Sequence, residues 1–496
     1  MVSRLSTIVS TRSAPVVECG ISSSCSPELT PPSRLDGAAS RRFSETSPSA
    51  VYCAIMKPDD APAFRMVPLD RQFRVPIRWR IFVMLFGFGF LAYVQRESLT
   101  IAAVRMMPEL HFTQLQIGWI EQAFVLGYAL FQLPGGLLGQ RWGARRTLAV
   151  MGLLAFASTV LTALAPQWLL GAELLALLML LQGVLGVAQA AIFPVSAGVF
   201  EAWFPPRRWA LVQGLQTMGL GLGAAATPPL IASIMVVLGW QQALWWTSLP
   251  ALLLIGLWAW YGRNRPAEHP SITKLELAVV AEVAGEPVAD HIDLAQLWRT
   301  LLDRNVLLLA VSYLCMNYVF YMLSNWVFLY LVQQLHFSEI ASGWMATAPP
   351  LAAAVGAGAG GVITTGLVQR YGSRRGLRLL PLIGLPAAAL LLLLAVHAAS
   401  PYWAIGALTA CFGCIELSEG SFWAAAMTVG RSNAMIVGGL MNTGGNLGGI
   451  IGIPIVAAIT GHGAWNLAFL IGSGCTLASA AAWLFIDASR SVSTSS

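Results

Sequence analysis

From about Ile81 to Ile486 the sequence keeps returning to long apolar stretches separated by short polar breaks. Each is long enough to supply the roughly 20 apolar residues that a helix needs to cross a bilayer. Several such stretches exclude a soluble enzyme with a single anchor. Composition agrees, since 56% of residues are hydrophobic and 10% charged, with a mean hydropathy of +0.68, far outside the range of soluble domains. The pattern predicts an all-α polytopic membrane protein with twelve transmembrane helices at 79–103, 116–138, 146–165, 169–199, 208–237, 240–261, 306–333, 341–367, 377–397, 402–427, 432–460 and 464–486.

The net charge of +6 is distributed in a way that reads as topology and not as nucleic-acid binding. Arg141, Arg145 and Arg146, then Arg207 and Arg208, then Arg263, Arg265 and Arg299, then Arg370, Arg374, Arg375 and Arg378, then Arg431 fall in every second loop. The intervening loops, near Ala165, Gly239, His336, Ala399 and His462, carry almost no positive charge; the first, with Arg105, is the exception. The arginine loops and both termini are therefore expected in the cytoplasm. The longest polar stretch inside the apolar region, with Pro266, Pro270, Glu276, Glu282, Asp290 and Asp293, reads as a linker. The expected organisation is a disordered extension at 1–74, an N-terminal six-helix bundle at 75–261, a cytoplasmic linker at 262–305, a C-terminal six-helix bundle at 306–487 and a tail at 488–496.

The first 74 residues are rich in Ser, Arg and Pro and lack a long apolar run, which rules out a secretory signal. Two readings stay open: a transit peptide, opposed by Glu18, Glu28 and Asp36, or upstream sequence ahead of a start at Met56 or Met66. Scarce lysine beside abundant Ala, Gly and Arg favours a bacterial inner membrane over a plastid envelope or thylakoid. Cys19, Cys25 and Cys53 lie in this head and Cys315, Cys411, Cys414 and Cys475 in apolar segments, where small packing residues are expected rather than redox or zinc chemistry. No phosphate-binding G-x-x-x-x-G-K-[ST] loop, no H-E-x-x-H motif and no clustered histidines occur, so ATP-driven transport, metal sites, cofactors and intramembrane enzyme chemistry are not expected.

The most specific signal is a duplication. Leu138, Gln140, Arg141, Trp142, Gly143, Arg145 and Arg146 read L-x-Q-R-W-G-x-R-R, and Leu367, Gln369, Arg370, Tyr371, Gly372, Arg374 and Arg375 read L-x-Q-R-Y-G-x-R-R. Each copy follows the second helix of its half, as in the tandem repeats that build alternating-access carriers. With Gly135 and Gly136, the first copy resembles the loop G-x-x-x-D-R-x-G-x-R of the major facilitator superfamily, with Gln140 in place of the usual Asp. The resemblance implies a conformational loop that couples the halves, here lacking its ion pair.

Within that superfamily the chain is similar to the anion:cation symporters, carriers of sugar acids, other organic anions and phosphate. The similarity is carried by Y-V-Q-R-E-S-L at Tyr93–Leu99, by Tyr128, Gln132, Pro134 and Gly135, by Gly186, Gln189, Ala190, Phe193 and Pro194, by Trp203–Pro205, by Trp326, Tyr330 and Leu331, by Phe422 and Trp423, and by Asn442, Asn446, Gly448 and Pro454. It implies that Arg96 binds the substrate's acid group. It also implies proton carriers at the positions of Gln95 and Gln189, both amides here, so the family's usual coupling route is absent.

Arg96 inside a bundle demands an anionic partner, either a solute or a side chain such as Glu97 or Glu121. Arg prefers bidentate contact with a carboxylate or phosphate, which makes an anion the leading solute class. Tyr93, Tyr128 and Gln132 are expected to frame it, with Ser421, Trp423, Asn442 and Asn446 from the other half. Glu416 and Glu419 are three apart on one helix face and could take over proton coupling, contact a cationic or hydroxylated solute, or make a structural hydrogen bond; Glu97 and Glu121 are further candidates for proton coupling. The expectation is a monomeric secondary transporter in the lipid bilayer, moving a small organic anion by proton symport. The alternatives are a facilitative carrier of a neutral or cationic solute, or a non-transporting receptor that kept the fold.

Overall fold

The computed structural model describes residues 75–281, 294–337, 339–460 and 462–491. The expectations for residues 1–74, with Cys19, Cys25, Cys53, Met56 and Met66, and for Glu282, Asp290, Asp293 and residues 492–496 lie outside the described residues.

The apolar stretches fold as helices. In the first half these are α1 (Ile77–Leu110), α2 (Gln114–Trp142), α3 (Ala144–Leu164), α4 (Gly171–Ala190), α5 (Ile192–Trp203), α6 (Trp209–Leu238) and α7 (Trp240–Tyr261). Two short helices, α8 (Lys274–Ala281) and α9 (Leu294–Leu301), follow. The second half holds α10 (Arg304–Gln333), α11 (Glu339–Met345), α12 (Ala348–Val396), α13 (Pro401–Glu416), α14 (Glu419–Gly430), α15 (Ala434–Thr460) and α16 (Trp465–Trp483). Side-chain caps fix several of the starts. Thr113 and Gln116 form a reciprocal capping box on α2, and Asp303 accepts from the Asn305 and Val306 amides at the head of α10.

Nine helical stretches among the described residues are long and apolar enough to cross a membrane. Two of these are composite. At ~1.5 Å per residue α12 would run far beyond the ~30 Å hydrocarbon core, and its 49 residues are broken by non-helical geometry at Gly372. The stretch Pro401–Thr460 contains three separate helices. The 29-residue α2 is long enough to span, and Gln114, Gln116, Glu121, Gln122 and Gln132 dilute its apolar character. The architecture is thus all-helical among the described residues and consistent with twelve spans.

The duplicated motif produces a duplicated backbone. Gly143 has φ 80° and Gly372 has φ 75°, with ψ of 152° and 167°, a combination open to glycine and strained for any other residue. Each glycine turns the chain at the arginine-rich end, between the second and third helices of its half.

Two expected helices are in fact jointed. The segment expected at 169–199 is α4 and α5, parted at Ala191 because Pro194 lacks the N–H that would bond the Ala190 carbonyl. The segment expected at 402–427 is α13 and α14, parted at Leu417 and Ser418. There the chain tightens: the Ser418 amide bonds Ile415 O, and the Ser421 and Phe422 amides share Ser418 O. This joint falls between Glu416 and Glu419.

The halves meet through α2 against α15 and α6 against α12. Small residues let the backbones approach: a Cβ on Gly214 would lie 2.5 Å from the Ala357 carbonyl oxygen, and one on Gly439 2.8 Å from that of Gln132. At the arginine-rich end Met435 of α15 sits in a socket of Gly136, Gly139 and Gly198, and the Gln140 amide donates to the Ser432 carbonyl at 2.5 Å.

Candidate functional site

Midway along the helices the two halves line a partly open cavity of about 50 Å³, room for a few waters. A sugar-sized solute fits only when the halves part. The first half contributes Tyr93 and Arg96 from α1, Tyr128 from α2, Phe193 from α5 and Thr217 and Leu220 from α6. The second contributes Tyr313, Asn317, Phe320 and Tyr321 from α10, Glu416 from α13, Glu419 and Trp423 from α14, and Asn442 and Asn446 from α15.

Arg96 is held by aromatic rings. Its guanidinium carbon lies 5.2 Å from the Tyr93 ring centre, 5.1 Å from that of Phe124 and 5.8 Å from that of Tyr128, and Nη1 donates to the Tyr93 hydroxyl at 3.3 Å. Cation–π contact is worth ~0.5–2 kcal/mol each and more when desolvated, which compensates part of the cost of burying the charge. The nearest carboxylate is Glu97 at 3.8 Å, well beyond the ~2.8 Å of a charge-assisted hydrogen bond. The cation is thus caged without being tightly neutralised.

The carboxyls occupy the opposite wall. Glu416 and Glu419 are 4% and 5% exposed. One oxygen of Glu419, Oε1, accepts from the Tyr313 hydroxyl at 2.7 Å and the Trp423 indole N–H at 2.9 Å. Its Oε2 is buried and without a partner. A relay of amides runs beside them: Tyr321 donates to Asn446 Oδ1 at 2.7 Å, Asn446 Nδ2 to the Asn442 carbonyl at 2.8 Å, and Asn442 Nδ2 to Gln132 Oε1 at 2.8 Å. The last of these bonds joins the halves.

The other expected residues lie elsewhere. Gln132 is fully buried behind the wall, reaching the site through Asn442. The Ser421 hydroxyl is turned toward Thr364 of α12, 2.9 Å away, because α14 packs that face on α12. Glu97 and Glu121 are off the cavity wall; Glu121 accepts from Thr100 at 2.9 Å. Gln189 Nε2 donates to Gln95 Oε1 at 3.4 Å and to the Ala92 carbonyl at 3.0 Å. A neutral amide pair therefore stands at the two positions where the family resemblance implies acids.

In the duplicated loops the Arg145 amide donates to Asn264 Oδ1 and its Nε to the Ala259 carbonyl, each at 2.9 Å. Arg141 and Arg146 are exposed, as are Gln369, Arg370, Arg374 and Arg375. Arg370 stacks over Tyr371, and Arg374 pairs with Asp487 at 3.4 Å.

Sequence reading missed Tyr313, Asn317 and Tyr321, which project into the cavity from α10. The signal was present: the three are spaced four apart, and so form one polar stripe along an otherwise apolar helix.

Comparison with known proteins bears on the family and the fold. The probable sulfoacetate transporter SauU of Cupriavidus necator is 27% identical over 417 residues, covering 84% of this chain and 95% of the relative. The sodium-dependent phosphate transport protein 1, chloroplastic, of Arabidopsis thaliana is 27% identical over 432 residues, covering 86% and 81%. The solved structure of the proton:xylose symporter XylE superposes with a TM-score of 0.64 at 14% identity, over 83% of this chain and 96% of that one, which shows a shared fold. Residues 85–435 match the family description of the Major Facilitator Superfamily. A duplicated loop, a polar cavity between two helical halves and that match lead to one conclusion: the chain is a multi-pass membrane transporter that belongs to the Major Facilitator Superfamily.

Proposed function

We propose that this transporter carries a small organic anion by proton symport, with the halves rocking about the cavity to expose it to each side in turn. The observation that carries this reading is the opposition of Arg96, caged and weakly paired, to the buried carboxyls Glu416 and Glu419 across one small cavity. Arg96 binds the acid group, with Tyr93, Tyr128, Trp423, Asn442 and Asn446 framing the solute and Gln132 steadying Asn442. Glu416 and Glu419 carry the proton. An anion entering a cavity that already holds two carboxyls favours their protonated forms, so solute and proton bind together. Gln140 and the duplicated arginine loops, including Arg141, Arg370 and Arg375, govern the exchange of states. The membrane is a bacterial inner membrane, in keeping with the scarcity of lysine.

Uptake of labelled sugar acids, dicarboxylates and phosphate into proteoliposomes, with and without an inward proton gradient, tests the reading. Gradient-driven uptake that is lost in Arg96→Ala supports it; uptake indifferent to Arg96 overturns it. The Gln95–Gln189 amide pair favours a second reading, a facilitative carrier, which predicts Arg96-dependent uptake unaffected by the gradient.

A further inference from the structure

One face of α15 joins the seal at the arginine-rich end to the cavity. Met435, Gly439, Asn442 and Asn446 follow at spacings of four, three and four, so they lie along one side of the helix. Met435 fills the socket of Gly136, Gly139 and Gly198, while Asn442 and Asn446 line the cavity. Between these levels α15 touches α2: a Cβ on Gly439 would lie 2.8 Å from the Gln132 carbonyl oxygen and 3.1 Å from Leu133 Cα. One turn from that contact Asn442 Nδ2 donates to Gln132 Oε1 at 2.8 Å. The other seam, α6 against α12, is shaped by backbone contact, with added Cβ atoms on Gly214 and Gly361 only 2.5 and 2.7 Å from carbonyl oxygens across it.

The bond is made where water is scarce, since Gln132 is fully buried and Asn442 is 8% exposed. A buried amide deprived of its partner costs the desolvation of that group. The cost exists only while α2 and α15 are together. When the halves part at this end, water reaches both amides and neither needs the other. Asn442 also stands on the cavity wall, so a solute that accepts from its amide draws it off Gln132, whereas an empty cavity leaves the bond made.

Resting on the placement of the solute in this cavity proposed above, we infer that the Gln132–Asn442 bond locks the empty transporter closed at the arginine-rich end, with Gln132 a positioning residue that acts through Asn442. The lock suppresses switching of the unloaded carrier, so that opening at this end follows loading.

The test is the rate at which a maleimide labels a single cysteine, Ser432→Cys with the native cysteines replaced, in purified protein and solute-free buffer. Gln132→Met and Asn442→Leu each keep the shape of the side chain and remove one amide. Each is expected to speed labelling at least ~5-fold, because the amide left behind is unpaired only in the closed state. The double variant is expected to label no faster than the faster single, since both changes remove the same bond and independent effects would multiply. A packing role predicts no change in either isosteric single variant. An exchange of lengths gives a second cycle with both amides kept: Gln132→Asn, too short to reach its partner, is expected to speed labelling, and Gln132→Asn combined with Asn442→Gln to slow it again. Single variants that label like the wild type, a double variant in which the effects multiply, or a length exchange that stays as fast as Gln132→Asn alone overturns the inference. Uptake in Arg96→Ala is a separate measurement, so the lock and the anion reading can each fall alone.

Discussion

Replacing Gly198 by alanine loads the seal at the arginine-rich end of the molecule with one methyl group. The added Cβ would lie 2.5 Å from Cγ of Met435 and 3.1 Å from its Sδ, against the ~3.5–4.0 Å of an ordinary carbon contact. Met435 is half-buried, with Gly139 against its Sδ and Gly136 against its carbonyl, so its side chain yields only by leaving this socket. Overpacking of this kind costs ~1–3 kcal/mol. The strain exists only while the halves are together at this end, so it is relieved when they part. The expected outcome is a shift of roughly 5–150-fold toward the state open at this face. Labelling of a single cysteine at Ser432→Cys by a membrane-impermeant maleimide in inside-out vesicles measures that population. The added Met435→Ala change empties the socket and is expected to restore slow labelling. If Gly198→Ala leaves labelling unchanged, or Met435→Ala does not reverse its effect, the added methyl does not act through Met435.

Arg96→Ala is expected to weaken solute binding by at least ~30-fold, equal to the ~2 kcal/mol lower bound for truncating one partner of a buried charged pair, while Arg96→Lys falls between; equilibrium binding of the transported anion measures both. Glu419→Gln is expected to abolish stimulation by a proton gradient and spare solute exchange, with Tyr313→Phe, which removes one of two donors to Oε1, intermediate; parallel uptake and counterflow assays separate the two activities. Gly372→Ala meets nothing within 4 Å and so isolates backbone strain of ~1–3 kcal/mol, whereas Gly143→Ala adds a collision with the Asn264 side chain 2.5 Å away; thermal unfolding should show the larger loss for Gly143. The Ser489 hydroxyl and amide, with the Arg374 and Arg378 guanidiniums, hold the Asp487 carboxyl below its ordinary range. That stabilisation is present above the unfolded value of 3.8 and is lost as pH falls through the lower folded one, so Asp487→Asn is expected to lower the melting temperature at pH 7 and to lose its effect progressively as the pH falls below 3.8.

The helical repeat was legible in the sequence because lipid leaves so few choices: long apolar runs, arginines in alternate loops and a glycine repeated at the same turn each have one economical reading. The aromatic cage of Arg96 was partly legible, since Tyr93 lies three residues before it, but Phe124 and Tyr128 come from another helix and nothing in the sequence fixes that packing. The joints at Ala191 and at Leu417–Ser418 were not legible: mean apolarity is indifferent to a local break, and Pro194 marks only the first. Glu416 and Glu419 could be paired by spacing, yet the partners that distinguish the two oxygens of Glu419 come from α10 and from Trp423. Ser421, one position outside that face, was assigned to the cavity and instead serves the contact with α12. In a bundle, which side of a helix meets a neighbour is decided by the fold as a whole.

The amide pair Gln95–Gln189 gives the first half an electrical character of its own. Gln189 donates to Gln95 without a change of charge on either, so these two positions carry the same charge at every physiological pH. On the wall of the cavity the acids are Glu416 and Glu419, both from the second half. A membrane-adsorbed preparation stepped in voltage would show this as a transient current whose pH dependence survives Gln189→Ala and disappears in the Glu416→Gln, Glu419→Gln double variant. Both halves build the cavity, and its acids come from one of them.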